Sequence, residues 1–399
     1  MLLSTTFKRD ITNLGHIIVE SCQIIPLSIF AFFCSFLKKK IDVGIGPDPL
    51  INNIYHKKAL LIAGYSAETF CVKTTFITKN FDFNFDKPNS LLNNLYSLLL
   101  RPVFAFTVIR YKVLFIYFNG GPLYHNSILL WRIEPILFRL AKVKIVLLPY
   151  GSDVQDLTRT KNLFFKHTVC QDYPNFKFTA LKIRKKIDLW TRHADHIFAG
   201  CDWVEYLYHW DTLMVSHFCI DTQNLLTSTR HKKKINEPFK ILHAPNHKNI
   251  KGTKFLCNAI ENLQAKGLNI ELNLIEKKPN ELILDAIKDC DLVADQFVIG
   301  WYAMFAIEAM SLGKPVLCYL REDFLELYQN SGEIEAGEIP IVNCKLNSIE
   351  TTIEKLFYNR DELIKIGSKG IKYVCKYHSL EYVGKKFQQA LNSLILSRN

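Results

Sequence analysis

The segment FAIEAMSLGKPVLCYL (305–320) reads as a helix, a stop and a buried strand. Gly313 supplies the conformational freedom that a helix stop uses, and Pro315 leads into an apolar extended run. The turn GWYAM (300–304) precedes it and opens the helix. Main-chain N–H groups at such a start, aided by the helix dipole, hold phosphate well. Glu308 lies more than one turn inside that helix, within reach of a ribose hydroxyl pair. The alternative reading is an ordinary exposed helix residue, or one that satisfies a buried amide.

Upstream, HAPNHKNIKGTKFLCNAI (243–260) places His247, Lys248 and Lys251 between a strand and a helix that starts near Gly252. Cations beside a helix start, at a strand's C-terminal end, suit a diphosphate; the alternative is a solvated basic loop. The whole region repeats one alternation: strands at 239–245, 268–276, 291–296 and 314–320, helices at 252–266, 279–288 and 302–312. Helices at 348–358, 360–376 and 379–396 close the chain.

The first half alternates as well. Strands are expected at 41–46, 67–74, 113–118, 144–150 and 196–200. Helices are expected from Pro47 to Ala63 and over 90–110, 128–142 and 178–193. Short buried strands alternating with helices imply a parallel sheet covered on both faces. With right-handed crossovers the fold is α/β, with two doubly wound, Rossmann-like domains facing a central cleft. STRHKKKINEP (228–238) is the best linker. The expected units are an apolar and basic segment at 1–40, a first Rossmann-like domain at 41–235 and a second at 236–399. The last helix is expected to cross back to the first domain.

Lys251-Gly252 followed by helix, strand and helix, then IEAMSLGKPV, resembles the C-terminal domain of GT-B glycosyltransferases. It is most similar to the family-four group, which is retaining and uses nucleotide sugars. PYGSDV (149–154) resembles that group's HGSD-type turn, and IKYVCKYHSLEYVGKKF (371–387) its closing helix pair. The resemblance implies a UDP- or GDP-linked sugar donor as substrate and no cofactor. It assigns catalysis to Lys251 and His247, and donor binding to Gly46, Asn246, Lys248, Lys251, Trp301, Tyr302, Ala303, Met304 and Glu308. Tyr150, Gly151 and Asp153 fall on the acceptor side. No metal is implied, because lysines and a helix end supply the counter-charge.

Two departures stand out. The group carries two glutamates with seven residues between them; here the second is Glu308 and the first position holds Gly300. Asp295 and Gln296 are the nearby polar candidates to replace it. Tyr150 stands where many members carry His.

Charge is unevenly placed. Residues 1–235 hold 30 Lys+Arg against 17 Asp+Glu, or +13, and residues 236–399 hold 20 against 21, or −1, summing to +12. A basic half points to a polyanion. The apolar run 24–37, followed by Lys38, Lys39 and Lys40, reads as an interfacial anchor, a buried helix or a span. Together these favour an anionic membrane and a glycan or glycolipid acceptor, such as lipopolysaccharide, at the cytoplasmic membrane face. No recognition helix or basic–aromatic repeat favours nucleic acid. The 11 cysteines, with no CxxC pair, suit a reducing compartment. A non-catalytic nucleotide-binding subunit of the same fold is the main alternative. A sugar-nucleotide epimerase and a nucleic-acid binder are further ones.

Overall fold

The computed structural model describes residues 2–74, 78–86, 98–99, 101–223 and 237–395. Within them the chain forms two parallel sheets, each sandwiched by helices. The first holds β1 (Ile41–Ile45), β2 (Ala67–Cys71), β3 (Phe83–Asn84), β4 (Tyr111–Tyr117), β5 (Lys144–Leu148), β6 (His196–Ala199) and β7 (Thr212–Leu213). Their order is β3-β2-β1-β4-β5-β6-β7. The second holds β8 (Phe239–His243), β9 (Ile270–Leu274), β10 (Leu292–Ala294), β11 (Val316–Cys318) and β12 (Ile341–Asn343), in the order β12-β11-β10-β8-β9.

The central strands are buried on both faces, as their unbroken apolar runs require. Val113 to Tyr117 of β4 and Val146 to Leu148 of β5 are fully enclosed. Strand order reverses between β1 and β4 in one sheet, where Ile45 pairs with Phe115, and between β8 and β10 in the other, where His243 pairs with Ala294. Ligands of open α/β sheets bind beyond the strand ends at such switch points.

The helices are α1 (Leu2–Cys34), α2 (Asn52–Ile62), α3 (Pro102–Arg110), α4 (Glu134–Leu140), α5 (Leu163–Asp172), α6 (Ala180–His193) and α7 (Lys248–Lys251). Then come α8 (Thr253–Ala265), α9 (Asn280–Asp289), α10 (Met304–Ser311), α11 (Glu322–Asn330), α12 (Ile349–Tyr358), α13 (Arg360–Tyr377) and α14 (Leu380–Ile395). The last of these leaves the second sheet and packs on α2. The Phe387 ring lies edge-on to His56, Phe115 and Phe198, with centroids 5.3, 5.1 and 5.2 Å away. Gly384 permits the approach, since a Cβ there would sit 2.5 Å from the Ala59 carbonyl oxygen.

Several boundaries differ from expectation. The helix expected from Pro47 starts at Asn52, because Asp48 uses its carbonyl to accept from the Leu50 N–H and the Asn53 amide at 2.9 and 2.7 Å. The expected helix 128–142 is a short 3-10 turn followed by α4, whose first turn holds Pro135. Within the expected helix 90–110, α3 occupies 102–110; residues 90–97 and 100 lie outside the described residues, as do 228–236 of the linker. Helices α5 and α11 were not anticipated. Each buries only a few residues, Phe165, Thr168 and Val169 in α5 and Phe324 and Tyr328 in α11, and their partners come from distant sequence.

Candidate donor and acceptor site

Around the switch point of the second sheet, the loop after β8 carries α7. The Lys251 ammonium lies 2.6 Å from the Asp295 carboxylate, one residue past β10, and the Asp295 side chain is wholly buried. Lys248 pairs with Glu276 at 3.1 Å on the surface. Two of the three cations of this loop therefore already face a carboxylate. His247 is half-buried, and burial lowers its pKa, which favours the neutral ring. The Tyr173 hydroxyl lies 2.5 Å from its Nε2. Asn246 is exposed on the same loop.

The segment 162–173 of the first domain reaches across to this loop. Asp172 accepts from the Asn249 amide at 2.7 Å and from the Ile250 N–H at 2.9 Å. Asn162 donates to the Val298 carbonyl at 2.7 Å. Arg321 completes the bridge, with Glu205 of the first domain at 2.7 Å. These contacts hold the domains together along one side of the cleft.

The turn before α10 is organised by Gln296. Its Oε1 accepts from the N–H groups of Val298 and Ile299 at 3.0 and 2.7 Å, and its Nε2 donates to the Trp301 carbonyl at 2.7 Å. That amide is fully used, and Asp295 is engaged by Lys251 through one oxygen while its other oxygen is buried without a hydrogen-bond partner. Gly300 itself has φ +101, and a Cβ there would collide with the Arg321 stem at 2.5 Å. Trp301 and Tyr302 turn inwards. The Tyr302 hydroxyl meets that of Tyr373 at 2.8 Å and His378 Nε2 at 3.0 Å. Their side chains belong to the core, while Ala303 and Met304 remain half-exposed at the start of α10.

Glu308 follows one turn later and is almost enclosed. Burial raises its pKa to about 7, against one hydrogen bond from the Asn280 amide at 3.1 Å. Tyr55 of α2 lies in its field; burial first, and Glu308 next, push that hydroxyl up to about 12. Glu308 thus lies within electrostatic range of α2 of the first domain. A carboxylate holding a single amide keeps capacity to accept from hydroxyls.

The first domain presents a polar cluster at its own switch point. Asp48 follows β1, Asn119 follows β4 and Tyr150 follows β5. The Asn119 amide donates to the Tyr150 hydroxyl at 2.7 Å and, at 3.4 and 3.5 Å, to Asp48. Lys186 of α6 donates to Asn119 Oδ1 at 2.9 Å, and its ammonium lies 3.6 Å from the centroid of the Tyr124 ring. Burial raises the Asp48 pKa to about 6; burial, then Lys182, lowers that of Lys186 to about 7. His125 Nε2 is buried without a hydrogen-bond partner, 3.7 Å from Asp48. This arrangement can bind hydroxyl-rich molecules and can tolerate a change of charge.

Of the expected acceptor-side residues, only Tyr150 joins that cluster. Asp153 instead clamps main chain: it accepts from the N–H groups of Tyr150, Gly151 and Phe118 at 3.0, 2.9 and 3.0 Å, and burial raises its pKa to about 7. Gly151, at φ +127, forms the turn it closes. Gly46 is walled in, since a Cβ there would lie 2.3 Å from the Phe70 carbonyl oxygen. Its glycine identity follows from packing against β2. Sequence reasoning missed Asp48, Asn119, His125 and Lys186. The first two could have been found as polar residues just past buried strands. Lys186 gave no signal, because IRKKID reads as a solvated helix face.

No protein-family profile matches the chain, and no curated protein matches its sequence. Solved structures do. A sucrose-phosphate synthase from Thermosynechococcus elongatus matches with TM-score 0.58 at 14% identity, over 90% of this chain and 100% of that one. An alpha-glucosyltransferase solved with UDP and a 13-mer DNA containing an HMU base matches with TM-score 0.54 at 13% identity, over 88% and 100%. A glycosyltransferase from Rickettsia africae ESF-5 matches with TM-score 0.51 at 13% identity, over 91% and 100%. The two facing parallel sheets of this chain, with the last helix returned to the first domain, have the GT-B glycosyltransferase fold.

Proposed function

We propose that the chain is a family-four-like glycosyltransferase that moves a sugar from a UDP- or GDP-linked donor to a membrane-associated glycan or glycolipid. Assembly of lipopolysaccharide or another surface polysaccharide, at the cytoplasmic membrane face, is the corresponding process. The observation that carries the reading is Glu308, a nearly enclosed carboxylate with spare acceptor capacity, set one turn inside α10 and within electrostatic range of the other domain. It would hold the ribose, with the diphosphate at the half-exposed start of α10 and near Lys251. The acceptor would lie over Asp48, Asn119 and Tyr150. In the retaining reaction the bond from the anomeric carbon to the diphosphate oxygen breaks. A bond to the acceptor hydroxyl oxygen forms on the same face, and the hydroxyl proton passes to the departing diphosphate. Dipoles aimed at that diphosphate lower the barrier.

The alpha-glucosyltransferase neighbour was solved with DNA. The exposed apolar face of α1 favours a membrane over nucleic acid as the partner of the basic half. Radiolabelled UDP- and GDP-sugars incubated with the protein and membranes test the proposal: label should pass to the lipid fraction, and the product anomer should match the donor's. A chelator should leave transfer intact. Release of label only into water-soluble DNA products would overturn the acceptor assignment.

Gly300, locked by φ +101 and by Arg321, favours one second reading. A nucleotide-binding subunit without transfer would lack the same glutamate. Nucleotide binding with neither transfer nor hydrolysis, across the full donor panel, would identify it.

A further inference from the structure

Helix α1 is built inside out. Two of its polar residues face the protein: Glu20 is fully buried, accepts the N–H groups of Ile128, Leu129 and Leu130 at 3.0, 2.6 and 3.2 Å, and pairs with Arg101 at 3.3 Å. Gln23 donates to the Leu98 and Leu99 carbonyls at 2.7 and 3.0 Å. On the opposite side Ile18, Ile25, Ile29 and Phe33 recur at spacings of seven, four and four, which is one stripe of a helix, and Phe36 follows in the turn just past its end. Ile25, Phe33 and Phe36 are 70%, 64% and 68% exposed. The stretch Asn13–Cys34 has a mean hydropathy of 2.0 and only 17% of its most apolar window is buried.

The stripe ends at cations. Lys38, Lys112, Lys142 and Lys144 line a cavity of about 260 Å³ together with Leu37 and Leu394. Lys112 and Lys144 are paired with Asp42 and Asp195, each at 2.7 Å. Lys38, Lys40 and Lys142 have no ion pair among the described residues, and the Lys142 ammonium lies 5.7 Å from the centroid of the Phe36 ring. Lys39 also borders the cavity, but its ammonium turns inward. It donates to the Val108, Ala141 and Cys34 carbonyls at 2.8, 2.9 and 3.4 Å, at the C-terminal ends of α3, α4 and α1, and so fixes the end of α1 to the domain.

We infer that α1 is a monotopic dock for an anionic phospholipid bilayer. The helix lies in the membrane surface with its stripe among the acyl chains, and the lysine cavity takes a lipid phosphate. An apolar stripe facing water needs a cover, and unpaired lysines at its end select an anionic one. A span is disfavoured by the same geometry, because it would strip Glu20 from four partners. The inference deepens the membrane part of the proposed function and uses none of its donor chemistry.

Co-sedimentation of the full chain with phosphatidylcholine vesicles, with and without phosphatidylglycerol, tests it. Binding should require the anionic lipid and fall with salt. Ile25→Asp and Phe33→Asp should each reduce binding about tenfold or more. Lys38→Glu with Lys142→Glu should remove the preference for anionic lipid, at about fivefold or more per lysine. All four side chains are exposed or half-exposed, and an unchanged far-ultraviolet spectrum would show that the variants fold. Wild-type protein left in the supernatant overturns the dock. So does stripe-variant binding equal to wild type, a carbonate-resistant span, or self-association through α1 that vesicles fail to reverse. Donor turnover is read in parallel: vesicle binding lost with turnover kept sinks the dock alone, and the reverse sinks the enzyme alone.

Discussion

The Lys251 ammonium lies 2.6 Å from the Asp295 carboxylate at the point where the second sheet reverses direction. Asp295 is fully buried and its second oxygen has no hydrogen-bond partner. A donor diphosphate would have to share this lysine. Removing one member of a buried pair leaves the other charge uncompensated, at a cost of about 3–5 kcal/mol. Lys251→Ala should therefore lose stability as well as turnover, and Lys251→Ala with Asp295→Ala should recover much of that stability. Chemical denaturation of the single and double variants measures it; additive losses would contradict the coupling.

Glu308 gives a pH signature. Its pKa is raised from 4.5 to about 7, so the folded protein binds the extra proton between those values and the ionised form is disfavoured. Ribose hydroxyls donating to the carboxylate would favour the ionised form. Affinity for a nucleotide sugar should then rise between pH 6 and 8, by up to about tenfold. Glu308→Gln should flatten the profile, and Glu308→Ala should weaken binding by about 1–3 kcal/mol. Titration calorimetry across that range decides it. An affinity independent of pH in the native chain would remove Glu308 from the ribose site.

Lys186 has the opposite sign. Its pKa falls from 10.5 to about 7 on burial, so the unfolded chain binds more protons between those values. The stability it contributes rises with pH across that window, and the full penalty applies below 7. Lys186→Met should stabilise the protein by about 1–3 kcal/mol at pH 6 and by less at pH 9. Acceptor use should fall in the same variant while donor affinity stays unchanged. Thermal melts at the two pH values and a transfer assay are the readouts.

Gly300 carries a fourth prediction. Restoring the missing acid as Gly300→Glu places a side chain at φ +101 and against the Arg321 stem. Arg321 holds Glu205 of the other domain, so the strain reaches the domain bridge. The variant should lose about 1–3 kcal/mol and gain no turnover. A melting temperature at or above that of the native chain would refute the account.

Particular residues show how far the sequence could be read. The alternations over 41–200 and 239–320 predicted the two parallel sheets, because strands buried on two faces must be apolar throughout and must be joined by helices. Gly313 and Pro315 marked their boundaries by backbone geometry alone. The polar residues were less legible. Glu308, Lys251 and His247 were picked out as types in a loop or helix, yet Lys251 proved paired and Trp301 and Tyr302 proved inward-facing. Gln296 read as a polar candidate and is the peg on which the turn 298–301 hangs.

By itself, then, the order of residues determined the period of each element, the sign of each half and the apolar character of residues 24–37. Those are local quantities, carried by neighbours in the chain. Tertiary structure alone decided that Asp48, Asn119, Tyr150 and Lys186 meet at one strand end, although the first and last of them stand far apart in the chain. It also decided that α1 turns Glu20 inwards and Phe33 outwards. Both outcomes depend on which groups are desolvated together, and desolvation is set by packing between distant segments.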